Sequence, residues 1–351
     1  MMARGGIHPA QPPGDLLAEL LASGGEPAAL FKRDHIFYDI LAYCSEAEPA
    51  AGQLDMMYRH SLIRKLVASV RARETAQIAH WRGALDGATW QPQSATARAG
   101  IAALYQPAVA LQAYYEDRYE EALAGLERGL DALGELHAGG FAVALVGAAD
   151  QLLNLLRAHA AYRRADAALH SAIELLDLLY GTGPSARYPH GSLEQALDPA
   201  ALASCANHYA DEVLFKILGS GDTQLIARLA AAVAARCGAW RDSPVRQGFL
   251  LLAALQSGAP MVPGQLPGPL PGQLPDQPAA LQLAPLPSTL QLLLLTALLD
   301  QAGGPHGPLG AAVQARLEGL RQAARMDGTV RAGAAHWLQA LAAAPPAMLA
   351  A

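Results

Sequence analysis

The sequence predicts an all-α protein, an irregular superhelix of α-α hairpins with a Pro/Gly-rich insertion before the C-terminal helices. Three observations predict it. First, Ala122, Leu123, Leu126, Leu130 and Leu133 recur at three- and four-residue steps, with Glu120, Glu121, Glu127, Arg128 and Asp131 on the other face; Leu169, Ala172, Ile173, Leu176 and Leu179 repeat the pattern. Second, Ala and Leu dominate while Val, Ile and aromatic residues are sparse, which suits helix and not sheet. Third, short stops such as Asp117-Arg118 and Gly139-Gly140 separate the periodic runs. No single helix can hide its own apolar stripe, so each must pack on a neighbour.

The elements follow in order. Residues 1–25 read as a disordered lead with Pro9, Pro12 and Pro13, then a short helix capped by Asp15 and stopped at Gly24-Gly25. Residues 26–96 hold the N-terminal helices. Pro27 suits a first turn, and that helix runs to about residue 46. After Gly52 the pattern predicts one long helix over 53–85, ended by Gly87. On its wheel Ile63, Leu66, Val67, Val70, Trp81 and Leu85 share one face. His60, Arg64, Arg71 and Arg82 line its flank within about 40° of one another. A basic stripe beside an apolar face, in an acidic chain, suits docking of an acidic peptide or partner; the plainer readings are a solvated face, or pairing with Glu116, Asp117, Glu120 and Glu121 of the next hairpin.

Residues 97–258 form the hairpin region: helices over 97–116 and 119–136, then over 141–163 and 165–180, with Pro107 expected to kink the first or mark its true start. The loop 181–198 is long enough either to bind or simply to connect. Asp198-Pro199 opens a helix to 218, followed by helices over 223–236 and 244–256. Residues 259–287 repeat Pro-Gly-Gln-Leu-like tetrapeptides and predict an extended linker. Residues 288–344 read as a C-terminal helical block, with Ser288 as the first cap.

The run Tyr114, Tyr115, Asp117, Arg118, Tyr119 and Ala122 resembles the inter-helix turn of tetratricopeptide repeats, where a Tyr pair closes one helix and Tyr-x-x-Ala opens the next. Tyr162, Ala165 and Leu169 echo it, as do Gly219, Asp222 and Leu229. The resemblance covers roughly 97–240. Ala122, Ala168 and Ile226 are 46 and 58 residues apart, where that family repeats at about 34, and the first turn is one residue short and lacks its glycine. The expectation is therefore an irregular, TPR-like hairpin protein. Asn207, Gly221, Asp222 and Leu229 also resemble a stretch of compact helical immunity proteins that neutralise bacterial toxins.

Several function classes are disfavoured. A net charge of −6 argues against a dedicated nucleic-acid binder. Cys44, Cys205 and Cys237 form no Cys-x-x-Cys pair and read as reduced thiols. Neither a signal-peptide core nor a membrane-spanning run is present, which predicts a cytoplasmic protein; the Ala- and Arg-rich usage points to a bacterial, GC-rich genome. HExxH, GxSxG and phosphate-loop motifs are missing.

The resulting expectation is a non-catalytic scaffold, regulator or immunity-type protein that binds another protein or peptide, with no cofactor, no metal and no membrane. Its partner-binding residues would be the basic flank His60, Arg64, Arg71 and Arg82 together with Tyr105, Gln112, Tyr115, Asn154, Arg157, His159, Asn207 and His208 from the first helices of the hairpins. The alternative is a helical enzyme, or an accessory protein of secondary metabolism. It would use loop 181–198 or the Cys205, His208 and Glu212 face, whose i, i+3, i+7 spacing puts potential metal ligands on one side of a helix.

Overall fold

A computed structural model describes residues 35–87, 94–220, 222–256, 286–287, 289–291, 293–294 and 297. The helices are α1 (His35–Glu46), α2 (Ala50–Ala72), α3 (Thr75–Asp86), α4 (Ala95–Tyr115), α5 (Tyr119–Ala138), α6 (Ala144–Ala161), α7 (Ala165–Tyr180), α8 (Leu193–Ala196), α9 (Pro199–Gly219), α10 (Thr223–Arg236) and α11 (Pro244–Gln256). No β-strand occurs among the described residues, so the all-α class holds. The predicted lead over 1–25, nearly all of the linker and most of the C-terminal block lie outside them. Among the described residues, those from 35 to 209 form one compact unit and those from 210 onward a second.

The first unit is built on one turn used three times. Arg73, Asp117 and Arg163 each take a left-handed conformation, with φ of 59°, 57° and 55°. At each, two backbone N–H groups fold back onto the helix just ended. Glu74 N donates to Ser69 O, Arg118 N to Ala113 O and Arg164 N to His159 O, at 2.8–3.0 Å. This satisfies carbonyls that a helix end would otherwise leave bare. The turn joins α2 to α3, α4 to α5 and α6 to α7. Gly140, at φ 100°, reverses the chain between α5 and α6 in the same manner, with Phe141 N donating to Leu136 O at 3.0 Å.

Two sequence expectations are corrected here. The single helix over 53–85 is two helices, broken at Arg73-Glu74. Neither Gly nor Pro marks this break, because an arginine takes the left-handed position that usually selects glycine. Of the two readings of Pro107, the true helix start is the one overturned: α4 begins at Ala95 and runs through the proline. Its ring packs where α5 has no side chain: a Cβ on Gly129 would meet Pro107 Cγ at 3.1 Å.

Glycines let α4 and α5 approach closely, and the apolar stripe of α5 (Leu126, Leu130, Leu133, Leu136) is buried as its periodicity requires. Each buried Leu side chain contributes roughly 1.5–3 kcal/mol of transfer free energy. Helix α1 crosses the first helices of all three hairpins, α2, α4 and α6. Ile36, Ile40 and Cys44 are its buried residues; Gly100 leaves room for Cys44, and Gly147 lies near Ile40. The crossing covers the N-terminal halves of α4 and α6. Ser94 caps α4 by accepting from Ala97 N at 3.0 Å, and its own hydroxyl donates to the buried Glu48 at 2.6 Å.

In the second unit Asp222 caps α10, accepting from Gln224 N at 3.0 Å and Leu225 N at 3.2 Å. Trp240 meets Phe249 edge-on at 6.3 Å. Gly248 of α11 admits Leu290, whose Cδ2 would lie 2.9 Å from an added Cβ. Thr289 N donates to Asp211 at 2.7 Å, so a distant carboxylate serves the start of the last described helical stretch.

Candidate functional site

The predicted basic flank does not survive as one stripe. With the chain broken at Arg73, Arg82 stands on α3 and the other three on α2. Arg82 pairs with Asp86 at 3.3 Å and donates to Gln112 at 3.1 Å, bonding α3 to α4. Arg71 is exposed in the last turn of α2, where a cation suits the helix dipole. His60 is buried, 5.7 Å edge-on to Tyr38 of α1; burial, then neighbouring Arg64, pulls its imidazole below the usual range. Arg64 donates to the Tyr38 hydroxyl at 2.6 Å.

The residues predicted to line a groove lie largely on the C-terminal halves of α4 and α6, beyond the α1 crossing. There they bond to one another. Tyr105 donates to Asp86 at 2.6 Å, and burial together with that bond pushes its phenol up to about 12. Gln112 donates to Glu116 at 2.8 Å, holding that carboxyl below its ordinary value. Tyr115 is exposed, with Arg73 stacked 5.5 Å from its ring centre. On α6, Arg157 donates to Asn154 at 2.9 Å, and Asn154 to Gln151 at 3.3 Å. His159 Nδ1 and the Tyr119 hydroxyl are hydrogen-bonded at 2.6 Å; burial, then Arg164, lowers the His159 pKa. These side chains bond helix to helix or along their own helix.

On α9 Asn207 is half-buried, and His208 lies edge-on to Tyr209 at 5.2 Å. Cys205 is fully buried, which raises its thiol to about 12 and removes thiolate character. Among the described residues no three His, Cys, Asp or Glu side chains are grouped so as to hold a metal ion, so the spacing of Cys205, His208 and Glu212 does not become a ligand set.

Loop 181–198 is strapped down. Arg187 reaches Glu174 of α7 at 2.7 Å and Glu127 of α5 at 2.8 Å. Tyr188 is buried against His137 at 6.4 Å, and Ser192 with Gln195 closes a capping box on α8. The arrangement is that of a connector tied to the hairpins it joins.

A different surface emerges on α2. Leu54, Met57 and Tyr58 are 69 %, 58 % and 58 % exposed, the largest exposures among the bulky apolar residues described. They share one stripe of the helix with Ser61, Arg64 and Lys65, all exposed. The upper part opens into a shallow depression lined by His60, Ser61, Arg64, Lys65 and Ala68. Half of the stripe is apolar and half cationic. Sequence reasoning named Arg64 of the cationic half but missed Lys65 and the apolar half. The signal was there: Leu54, Met57 and Tyr58 fall on the arc of the wheel opposite Ile63 and Val70.

Among the described residues no helix is long and apolar enough to cross a membrane. No protein-family model, curated protein or solved structure matches this chain.

Proposed function

We propose that this is a non-catalytic helical-hairpin protein that binds another protein or a peptide, and that the exposed stripe of α2 is where it does so. The observation that carries the reading is the exposure of Leu54, Met57 and Tyr58 on a helix whose opposite face, from Met56 to Val70, is fully packed. A contiguous exposed apolar stripe edged with polar groups is the usual mark of an interaction site. The groove residues on α4 and α6 support a structural role instead, because their polar atoms are engaged with neighbouring side chains.

The test is site-directed photo-crosslinking in the host, with benzoylphenylalanine at position 58 and, as a control, at exposed Asp131 of α5. The reading expects a discrete adduct from 58 that Leu54→Ser/Met57→Ser removes, and none from 131. Absence of any adduct at 58, or the same adducts from both positions, counts against it.

A further inference from the structure

The occupant of the α2 stripe can be given a chemistry. The chain as a whole is acidic, at −6. Helix α2 runs against that balance. Its only carboxylate, Asp55, is ion-paired with Arg59 at 3.2 Å, which leaves Arg64, Lys65 and Arg71 as its remaining cations. Arg64 turns to the Tyr38 hydroxyl, and Lys65 lies 4.7 Å from the centre of the Trp81 ring. Both therefore face an uncharged partner and keep their charge available on the exposed arc. Burial holds His60 beneath them toward its neutral form, so the cationic half rests on Arg64 and Lys65, both exposed.

Leu54 and Lys65 are separated by about 16 Å along the helix. Over that length the surface changes from apolar to cationic.

We infer that this stripe takes an acidic amphipathic helix, whose apolar residues cover Leu54, Met57 and Tyr58 while its carboxylates meet Arg64 and Lys65. The inference rests on the docking role proposed above and narrows it to one partner chemistry. Opposite charge steers such a peptide to α2 while the acidic remainder of the chain repels it elsewhere. An anionic bilayer is the poorer match, because it would have to approach the acidic remainder as well as α2. A second copy of the chain would set Arg64 and Lys65 in the same interface as their own duplicates.

The test uses the full chain and a fluorescein-labelled synthetic peptide of about 16 residues, long enough to span Leu54 to Lys65. It carries Leu at helical spacing and Glu elsewhere; companion peptides replace every Glu by Lys or by Gln. Anisotropy should show the Glu peptide binding, with affinity at least about tenfold weaker for Arg64→Glu/Lys65→Glu, for Leu54→Ser/Met57→Ser, and at about 0.5 M NaCl. All four positions are exposed, and circular dichroism should show the variants folded; Arg64→Gln offers a milder step in the same direction.

Equal binding of the Gln or Lys peptide, or indifference to Arg64→Glu/Lys65→Glu, overturns the acidic assignment while leaving α2 as a docking surface. Failure of every peptide to bind overturns it as well, and the crosslink from position 58 then decides whether docking at α2 survives. Two further results also overturn it: binding to phosphatidylserine vesicles without binding the Glu peptide, or a dimer in light scattering that Leu54→Ser/Met57→Ser dissolves.

Discussion

Gly125 of α5 faces Ala110 of α4 so closely that a Cβ on the glycine would lie 2.9 Å from the alanine Cβ and 3.2 Å from Gln106 O. Two of the three nearest atoms to that position are backbone, which cannot rotate away. Gly125→Ala should therefore destabilise the protein by about 1–3 kcal/mol despite the better helix propensity of alanine. Gly83 of α3 has nothing within 4 Å of such a Cβ. Gly83→Ala should stabilise by about 0.5–1 kcal/mol. Denaturant midpoints of the two variants should move in opposite directions.

Arg163 holds a left-handed turn conformation at φ 55°. A β-carbon makes that region costly, and glycine is the residue that reaches it freely. Arg163→Gly should raise stability, by up to about 1 kcal/mol. The same change at Asp117 should gain less, because Asp117 accepts a hydrogen bond from Tyr162. Thermal melts of both variants beside the parent check the ordering.

Arg187 ties loop 181–198 to α5 and α7 through two carboxylates. Removing it leaves Glu127 and Glu174 facing the gap without their shared cation. Arg187→Ala should cost about 2 kcal/mol, and Arg187→Lys should recover only part of it, since one ammonium cannot reproduce the forked guanidinium. Hydrogen exchange should quicken at the amides of Tyr188 and Gln195, which now donate to Ser185 and Ser192.

His137 is buried, and neither ring nitrogen has a hydrogen-bond partner among the described residues. Burial, then neighbouring His190, depresses its pKa below the ordinary imidazole value of 6.5. The sign follows from proton binding. Below 6.5 the unfolded chain takes up the proton first, so stability is full above that pH and is lost as pH falls toward the folded-state pKa. His60 and His159 are depressed too and act in the same direction. Unfolding midpoints should fall between pH 7.5 and 5.5, and His137→Leu should show a smaller fall than the parent. An unchanged slope in that variant would remove His137 from the account.

Much of the helix register was legible in the residues. The starts of α5, α7, α9, α10 and α11 fall where the apolar period, an Asp cap or a proline predicts them. What escaped was the α2–α3 break. Turn chemistry is read from glycine and proline, and Arg73 is neither. The cost of its left-handed turn is offset by packing between α2 and α3, a tertiary quantity that no local window contains.

The site divides in the same way. Residue type and spacing were enough to establish an all-helical chain, its stripes and the cationic character of the 60–71 stretch, because these depend on neighbours a few positions away. Which stripes end up covered depends on contacts between residues far apart in the chain. Helix α1 packs on α2, α4 and α6, and the polar groups expected to line a groove bond to one another or to neighbouring helices. Among the described residues, none covers Leu54, Met57 and Tyr58 in this way. Periodicity says that a face is apolar; only the three-dimensional packing says whether another helix lies upon it.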